Sequence, residues 1–231
     1  MHWFYDPGLK PEQIELSGTE ANHAKALRIR IGEQIAITDG QGRVGFAEVV
    51  RDAPLLFQIH HISVESETLP RFHLIQALAK NDRDELALQT AVELGARSVT
   101  PWQAARSIVK WEQKAQRNLE RWQSIAIEAM KQSQQPYLCE VQPLASTKQL
   151  VPTGIGVVLD PRADLTLDRL GQAEDFTIVV GPEGGIAEEE LALLGAAGFQ
   201  RVRLGHSVLR SSTAGPAAIA GLSALHGSFR T

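Results

Sequence analysis

The sequence predicts an α/β protein built from two regions, and three observations support that class. The first ~70 residues are rich in β-branched and aromatic residues, whereas the chain from Phe72 onward alternates apolar strands with helical patterns. A polar stretch that ends at Pro70 suits a linker between the two. We therefore predict a small β-rich domain over residues 1–70 and a mostly parallel sheet with helices on both faces over residues 71–231.

The composition is that of an ordinary globular protein. Of the 231 residues, 43% are hydrophobic and 22% are charged, and no apolar stretch approaches the ~20 residues of a membrane-spanning helix. The single cysteine, Cys139, excludes an intrachain disulfide and a cysteine-based zinc site. The N-terminus lacks the basic segment and long apolar run of a signal peptide. Together these features favour a cytoplasmic protein.

The charge is distributed unevenly along the chain. Residues 1–70 hold 6 basic and 10 acidic side chains, residues 71–150 hold 11 and 8, and residues 151–231 hold 6 and 9. A polyanionic partner must therefore be met by local basic clusters, because the net charge is −4. The two candidate clusters are Lys25, Arg28 and Arg30, and Lys110, Lys114, Arg117 and Arg121. For the second cluster a solvated helix face is an equal alternative.

The first region is predicted to form a small β-barrel with one helix. Its strands are predicted at 35–38, 44–50 and 55–64, with turn chemistry at Asp39-Gly40 between the first two. The helix is predicted between Thr19 and Ile29, with Thr19 as a possible N-cap.

The second region is predicted to repeat strand and helix. The predicted strands are 72–78, 98–102, 156–159, 175–180 and 201–204. The predicted helices are 82–94, 118–132, 187–197 and 212–225. Gly95 and Gly198 are expected to end two of these helices, since glycine readily adopts the left-handed conformation that follows a helix.

Three strand ends carry residues that suit ligand binding. In open α/β sheets the ligand lies beyond the carboxyl ends of the strands, and the candidate segments there are 159–161, 181–185 and 204–210. Glycines in these segments allow the backbone to approach a ligand closely. No dinucleotide fingerprint and no P-loop is present. Ser207 lies in a segment that begins like a nucleophile elbow, but Leu209 stands where the elbow requires glycine.

The order of motifs along the chain resembles that of a known family. The late motifs are Gly181-Pro182-Glu183-Gly184-Gly185, Leu204-Gly205, Val208-Leu209-Arg210 and Thr213-Ala214. The early motifs are the stretch from His23 to Glu33, Glu93-Leu94-Gly95, and Glu128-Ala129 followed by Gln132. Together they resemble the SPOUT-class methyltransferases and, within them, the RsmE family of bacterial 16S rRNA uracil-N3 methyltransferases.

The chain departs from the family pattern at three places. Gln89-Thr90 replaces the common Gln-Lys, and no arginine lies near Gln134-Gln135. The usual Arg-Thr-Glu-Thr-Ala becomes Arg210-Ser211-Ser212-Thr213-Ala214, so a role for that glutamate does not apply here.

The resemblance implies a fold and a reaction. The C-terminal region is expected to form a knotted (trefoil) SPOUT methyltransferase domain, which is an exception to the rule that chains do not thread loops. The N-terminal region is expected to be a PUA-like RNA-binding β-barrel, and the protein a homodimer. S-adenosyl-L-methionine is the implied cofactor, and N3 of a uridine in the 16S rRNA of the small ribosomal subunit is the implied acceptor.

The resemblance also implies which residues act. Arg210 is expected to stabilise the developing uracil anion or to hold a phosphate, the alternative being an ion pair with the acidic start of the 187–197 helix. The expected cofactor-binding residues are Leu159, Gly181, Pro182, Glu183, Gly184, Leu204, Gly205, Val208, Leu209 and Thr213. The expected RNA-binding residues are His23, Lys25, Arg28, Arg30 and Lys80. No metal is expected.

Other interpretations remain open at this level. Glu183 either orients the cofactor, helps with the proton, or binds backbone N–H groups in a turn, and His23 is equally well placed on a helix surface. The chain as a whole could be a noncatalytic RNA-binding ribosome-assembly factor, a methyltransferase for another acceptor atom, or a serine hydrolase that uses Ser207.

Overall fold

The computed structural model describes residues 1–16, 18–52 and 54–227, and the chain divides into two compact units. The first unit comprises Met1–Glu67 and Met130–Leu138, and the second comprises Thr68–Ala129 and Cys139–Thr231. The sequence predicts one boundary near residue 70, and it does not predict that residues 130–138 belong to the first unit.

The first unit contains a five-stranded sheet and one helix. Its strands are β1 (His2–Tyr5), β2 (Gln13–Glu15), β3 (Gln34–Thr38), β4 (Arg43–Asp52) and β5 (Leu55–Val64), and its helix is α1 (Gly18–Ala26). The strand order is β1-β3-β4-β5-β2, in which only β1 and β3 pair in parallel. The three predicted strands are confirmed. The edge strands β1 and β2 were not predicted, and α1 begins at Gly18, so Thr19 lies inside the helix.

One apolar face of this sheet forms the core of the first unit. Phe4, Ile35, Ile37 and Phe57 are completely buried there. Burial of an aliphatic or aromatic side chain of this size contributes about 1.5–3 kcal/mol relative to exposure. These strands were predicted from their content of β-branched and aromatic residues, several of which form this core.

Residues 130–138, which return to the first unit, are held in it by polar contacts. The Lys131 ammonium lies 2.7 Å from Glu20 Oε1 and 3.1 Å from His23 Nδ1, and the lysine side chain is only 3% exposed. The Thr38 hydroxyl donates a hydrogen bond of 2.9 Å to the carbonyl of Pro136. His23, which is predicted to contact RNA, is therefore a half-buried member of a polar network in the protein.

The second unit contains a six-stranded, fully parallel sheet. Its strands are β6 (Arg71–Ala77), β7 (Ala96–Trp102), β8 (Glu140–Val141), β9 (Ile155–Leu159), β10 (Asp175–Val180) and β11 (Gln200–Val202), in the order β11-β9-β10-β6-β7-β8. Its helices are α2 (Arg83–Glu93), α3 (Ala115–Gln132), α4 (Glu188–Ala196) and α5 (Ser211–His226), and the last three residues of α3 belong to the first unit. The predicted parallel sheet is confirmed, whereas the two-residue strand β8 was not predicted.

The burial pattern explains why these elements could be predicted from the sequence. Residues 176–180 of β10 are buried without interruption, as expected for a central parallel strand covered on both faces. On α3, Trp122, Ala126 and Met130 are buried, whereas Leu119, Ile125 and Ile127 are half-buried. Within the described ranges, no helix has both the length and the apolar character needed to cross a bilayer.

A charged cluster lies at the amino-terminal edge of the parallel sheet. Arg71 donates two hydrogen bonds, of 2.8 and 2.7 Å, to the Asp175 carboxylate, and His73 Nε2 lies 3.0 Å from Asp175 Oδ1. His73 Nδ1 is 2.8 Å from the hydroxyl of Ser98. The hydrogen bond from Arg71, with help from His73 and against the effect of burial, holds the pKa of Asp175 below its ordinary value of 3.8.

We expect Asp175→Asn to lower the free energy of unfolding by about 1–2 kcal/mol at pH 7, because a partly buried ion pair is broken. The folded-state pKa is depressed, so the contribution is present above the unfolded-state pKa and is lost as the pH falls through the lower folded-state pKa. In urea titrations, the difference between wild type and variant should therefore shrink below pH 3.8. The exposed Asp164→Asn serves as the control, and a difference that stays constant with pH would contradict the assignment.

Candidate active site

The loops that follow β9, β10 and β11 line a single cleft at the carboxyl edge of the parallel sheet. Its volume is about 610 Å³, within the range of roughly 300–1,000 Å³ of small-molecule sites. Apolar side chains such as Val180, Ile186 and Leu204 line it together with several arginines and carboxylates. The cleft therefore has the size and mixed lining of a site for one organic molecule of moderate size.

Most of the predicted cofactor-binding residues line this cleft. They are Leu159, Gly181, Pro182, Glu183, Leu204, Gly205, Val208 and Leu209, joined by the predicted catalytic residue Arg210. Gly184 is not part of the lining, although its carbonyl accepts a hydrogen bond of 3.1 Å from Arg106 Nη1, which does line it. Thr213 is exposed in the first turn of α5 and is not part of the lining.

The first loop is organised around the buried carboxylate of Asp160. Arg201 Nη2 lies 2.7 Å from Oδ2, while the backbone N–H and Nε of Arg162 donate to Oδ1 at 2.9 and 3.2 Å. Burial alone raises the pKa of Asp160, but the hydrogen bonds from Arg162 and the charge of Arg201 outweigh it and hold the pKa below 3.8. Asp160 is therefore an ionised anchor for the loop.

The glycine-rich loop after β10 is tightly folded. A Cβ on Gly181 would lie 2.6 Å from Cγ1 of Ile186, closer than real side chains approach. Gly185 has a φ of +72°, and its N–H donates to the carbonyl of Pro182 at 2.8 Å. The left-handed backbone at this turn favours glycine, and the absence of side chains keeps the backbone open to the cleft.

Glu183 is engaged as a hydrogen-bond acceptor. Its Oε1 accepts from Arg83 Nη1 at 3.1 Å and from the backbone N–H of Lys80 at 3.4 Å. These contacts tie the glycine-rich loop to the segment between β6 and α2. Glu183 therefore binds a backbone N–H group, as one of the three interpretations of this residue expects. The side chain of Lys80 is exposed beside the loop.

A second buried carboxylate, Glu190, accepts hydrogen bonds from residues next to the glycine-rich loop. Its Oε1 accepts from the Thr147 hydroxyl at 2.7 Å and from the Ala105 N–H at 2.9 Å, and its Oε2 accepts from the Ala187 N–H at 3.3 Å. The Thr147 hydroxyl in turn accepts from Trp102 Nε1 at 3.1 Å. Glu190 thus joins three separate segments of the chain next to the cleft.

Arg210 is a cation in the lining of the cleft whose side chain has no partner among the described residues. Its side chain is exposed, and in residues 1–16, 18–52 and 54–227 nothing forms a hydrogen bond or ion pair with it. The alternative of an ion pair with the acidic start of α4 is not formed, because Glu188 accepts from Arg162 at 2.8 Å and Glu190 is occupied as described. The guanidinium is therefore available to bind an anion.

The predicted RNA-binding cations of the first unit lie on its surface. Lys25, Arg28 and Arg30 are exposed at the end of α1 and just after it. Arg28 has a φ of +55°, and its N–H donates to the carbonyl of Lys25, which ends the helix at this point. In the second basic cluster, Arg121 Nη2 lies 2.5 Å from Glu85 Oε2, and this ion pair neutralises part of the charge of the cluster.

The sequence analysis gave no individual role to several residues in or beside the cleft, among them Arg106, Glu190 and Ser211. Arg106 and Glu190 lie far along the chain from the loop that they hold, and Ser211 was noted only as part of a motif. The position of Glu190 at the third residue of α4 is a weak capping-box signal, but the serine or threonine that completes the pattern is replaced by Ala187. For Arg106 no signal in the sequence indicates its contact.

The serine hydrolase interpretation finds no support in this geometry. Ser207 lines the cleft, but its neighbour His206 does not, and no other histidine lines the cleft in the described part of the chain. A nucleophilic serine requires a base within hydrogen-bond reach.

The cleft formed by the loops at the carboxyl edge of a parallel sheet places the second unit among α/β domains that bind an organic ligand at that edge. The model of the RNA methyltransferase domain family matches residues 66–223, and the model of the RNA methyltransferase PUA domain matches residues 16–54. Ribosomal RNA small subunit methyltransferase E from Mycobacterium bovis is 36% identical over 91% of this chain and 86% of its own length. The chain belongs to the ribosomal RNA small subunit methyltransferase E family.

Further relatives agree with this assignment. The Bacillus subtilis member is 29% identical over 89% of this chain and 90% of its own length. The crystal structure of the Neisseria gonorrhoeae member bound to S-adenosyl methionine has a TM-score of 0.89 at 30% identity, covering 97% of this chain and 98% of that one. A Legionella pneumophila structure with the cofactor SAM bound has a TM-score of 0.88 at 28% identity and covers 96% of both chains.

The residues present fit that cofactor. Gly181 and Gly185 line the cleft without a side chain, which suits a close approach of the polar edges of an adenosine to the backbone. The apolar side chains of Val180 and Ile186 provide surface for a ring system.

Proposed function

We propose that this chain transfers a methyl group from S-adenosyl-L-methionine to N3 of a uridine in the 16S rRNA of the small ribosomal subunit. The observation that carries the proposal is the single cleft lined by the three strand-end loops, with the unpaired guanidinium of Arg210 in its lining. Membership of the methyltransferase E family supports the reaction and the substrate.

The cofactor would be held by the loops at the carboxyl edge of the sheet. When bound, S-adenosyl-L-methionine supplies a methyl group on a positively charged sulfur. The residues proposed to hold it are Leu159, Gly181, Pro182, Glu183, Leu204, Gly205, Val208 and Leu209. Gly184 and Thr213, which are outside the lining, are left out of this set. The protein contributes binding and orientation, since the cofactor already carries the activated group.

The acceptor sets the demands on the protein. Uracil N3 carries an acidic imide proton, and the neutral nitrogen is a poor nucleophile. N3 also lies on the Watson–Crick edge, so the base must be unpaired or flipped out to reach the cleft. The protein must therefore hold the ring in line with the methyl group and stabilise the anion that remains when the proton leaves. The Arg210 guanidinium is proposed to provide that stabilisation.

The N3 proton is proposed to leave to water. Within the described residues, the acidic side chains that line the cleft are Asp160, Glu183 and Glu188, and arginines already pair with all three. Asp160 is a weak base, because the effect of burial, which raises its pKa, is outweighed by the hydrogen bonds from Arg162 and the charge of Arg201, which lower it. Glu183 and Glu188 are occupied as hydrogen-bond acceptors of Arg83 and Arg162. Anion stabilisation, more than a strong general base, is therefore the contribution that this cleft can make.

The finer architecture follows from the family resemblance. We propose that the second unit is a SPOUT domain with a C-terminal trefoil knot, over residues 71–231, and that the first is a PUA-like RNA-binding barrel over residues 1–70. We propose further that the protein is a homodimer and that it acts in the cytoplasm on the small ribosomal subunit.

The test is product analysis with a defined acceptor. Purified protein is incubated with methyl-labelled S-adenosyl-L-methionine and with 16S rRNA, or small subunits, from a strain that lacks this protein. We expect one methyl group per rRNA, recovered as 3-methyluridine after digestion and mass spectrometry. Label in a 2′-O-methyl nucleoside or a methylguanosine would show that the acceptor is a different atom. Cofactor binding by calorimetry without any methyl transfer would favour the noncatalytic assembly factor.

The basic cluster of the first unit gives a separate prediction. We expect Arg28→Gln combined with Arg30→Gln to weaken rRNA binding and to lower the salt slope by about 2, because each phosphate contact contributes close to one released counterion. Binding is measured by titration across a range of salt concentrations. The control is Lys148→Gln combined with Arg169→Gln, which removes the same charge from exposed positions of the second unit. Equal slopes in the two double variants would place the RNA surface elsewhere.

A further inference from the structure

The second basic cluster of the chain has no part in the function proposed above. Residues 106–121 hold five basic and two acidic side chains, although the chain as a whole has a net charge of −4. The sequence leaves two interpretations open for this cluster, a surface that binds a polyanion or a solvated helix face. The structure supplies three observations that bear on the choice.

Three cations of the cluster share one face of a helix. A 3₁₀ turn over Glu112–Lys114 leads directly into α3, so Lys114, Arg117 and Arg121 follow one another at spacings of three and four residues. Side chains at these spacings lie on the same face of a helix. The helix packs against the protein through a different face, on which Trp122 is buried. We call Lys114, Arg117 and Arg121 the basic stripe.

Most of the charge of the basic stripe is not neutralised by the protein. The side chains of Lys114 and Arg117 are exposed, and none of the residues that the structure describes forms a hydrogen bond or ion pair with them. The same holds for Lys110, four residues before the stripe. Like charges at helical spacings repel one another, whereas a face that is only solvated typically alternates positive and negative side chains. The stripe therefore fits a negatively charged partner better than solvent.

The basic stripe lies next to the cleft. Arg121 Nη2 is 2.5 Å from Oε2 of Glu85, which lies in the first turn of α2. Arg83, in the same turn, lines the cleft. Arg106, at the start of the basic segment, is in the lining as well. A strand that enters the cleft can therefore continue along the stripe.

We propose that the basic stripe, together with Lys110, binds phosphates of the rRNA strand next to the uridine in the cleft; this inference rests on the proposed function. From Lys114 to Arg121 the helix rises about 10 Å, which spans about three nucleotides at roughly 3.4 Å each. A base that leaves its stack needs its flanking backbone held in place. Phosphate contacts fix the position of a nucleic acid without reading its sequence. The second unit thus has an RNA surface of its own.

The experiment compares two double variants that each remove two exposed positive charges from the second unit. The test pair is Lys114→Gln with Arg117→Gln, and the control pair is Lys148→Gln with Arg169→Gln. Arg121 is left in place, because its loss would also break the ion pair with Glu85. Binding to 16S rRNA from a strain that lacks this protein is titrated across a range of salt concentrations. We expect the salt slope to fall by about 1.5–2 in the test pair and to stay at the wild-type value in the control pair.

Turnover and stability distinguish phosphate binding from a structural role. In the test pair the KM for rRNA should rise about 10-fold with kcat close to wild type, since contacts away from the reacting atoms hold ground state and transition state alike. The dissociation constant of S-adenosyl-L-methionine should not change, and the melting temperature should not fall, because no contact with a described residue is lost. Lys114→Arg combined with Arg117→Lys keeps both charges and should bind rRNA like wild type.

Other results would overturn the proposal. A wild-type salt slope in the test pair would assign the basic stripe to solvent. An equal loss of slope in the control pair would show that net charge matters and the position of the charge does not. The proposed function fails separately: if the slopes are as expected but the wild type forms no 3-methyluridine, the reaction is wrong and the RNA surface stands.

Discussion

Arg210→Ala is expected to lower kcat about 10²–10³-fold, because it removes the guanidinium that is proposed to stabilise the uracil anion, as a donor of an oxyanion hole does. The fold should survive the change, since the side chain is exposed and has no partner among the described residues. Turnover is measured on rRNA from a strain lacking the protein, with the melting temperature recorded alongside.

Two variants sharpen this prediction. Arg210→Lys keeps the charge but not the planar fork of donors, so it should recover only part of the rate. Arg169→Ala removes an arginine that is 76% exposed and lies outside the lining of the cleft, and it should retain wild-type turnover. Near-normal turnover in Arg210→Ala would remove Arg210 from the site.

Glu190→Ala is expected to lower the free energy of unfolding by about 2–4 kcal/mol and to weaken cofactor binding. The substitution leaves the Ala105 and Ala187 N–H groups and the Thr147 hydroxyl without their acceptor. These hydrogen bonds are part-buried, and each contributes a net ~0.5–1.5 kcal/mol. Urea unfolding measures the first effect and calorimetry with S-adenosyl-L-methionine the second.

The matched control for Glu190 is Glu189→Ala in the same helical turn. Glu189 is exposed, so its loss should cost about 0.5 kcal/mol from the helix dipole alone. Glu190→Gln, which keeps one acceptor oxygen, should fall between the two. If Glu190→Ala behaves like Glu189→Ala in both measurements, the buried carboxylate does not support the loop.

Elements with a strong local pattern were predictable from the sequence. Strand β10 was predicted with the bounds that the structure has, because a run of aromatic and β-branched residues stands between Asp175 and Gly181. Strands β1, β2 and β8 were missed because they are short edge strands, and their conformation depends on a neighbour rather than on their own residues. Helix α1 ends earlier than predicted, because Arg28 takes a left-handed conformation that no glycine or proline marks.

The candidate site also has parts that the sequence predicts and parts that it does not. The three strand-end loops were predictable, since parallel strands end at one edge of a sheet and the turn residues mark those ends. The pairing of Glu183 with Arg83 joins residues 100 positions apart, and that of Arg106 with the Gly184 carbonyl joins residues 78 apart. Contacts of this kind depend on how the elements pack, and no local pattern encodes them.

The return of residues 130–138 to the first unit constrains how this protein can be recombined with its relatives. A hybrid spliced only at residue 67 would pair Glu20 and Thr38 with foreign partners in place of Lys131 and Pro136. A faithful exchange of the first unit needs three joints, one of them inside α3. Evolution by simple domain shuffling would meet the same obstacle, so the two halves are expected to have diverged together.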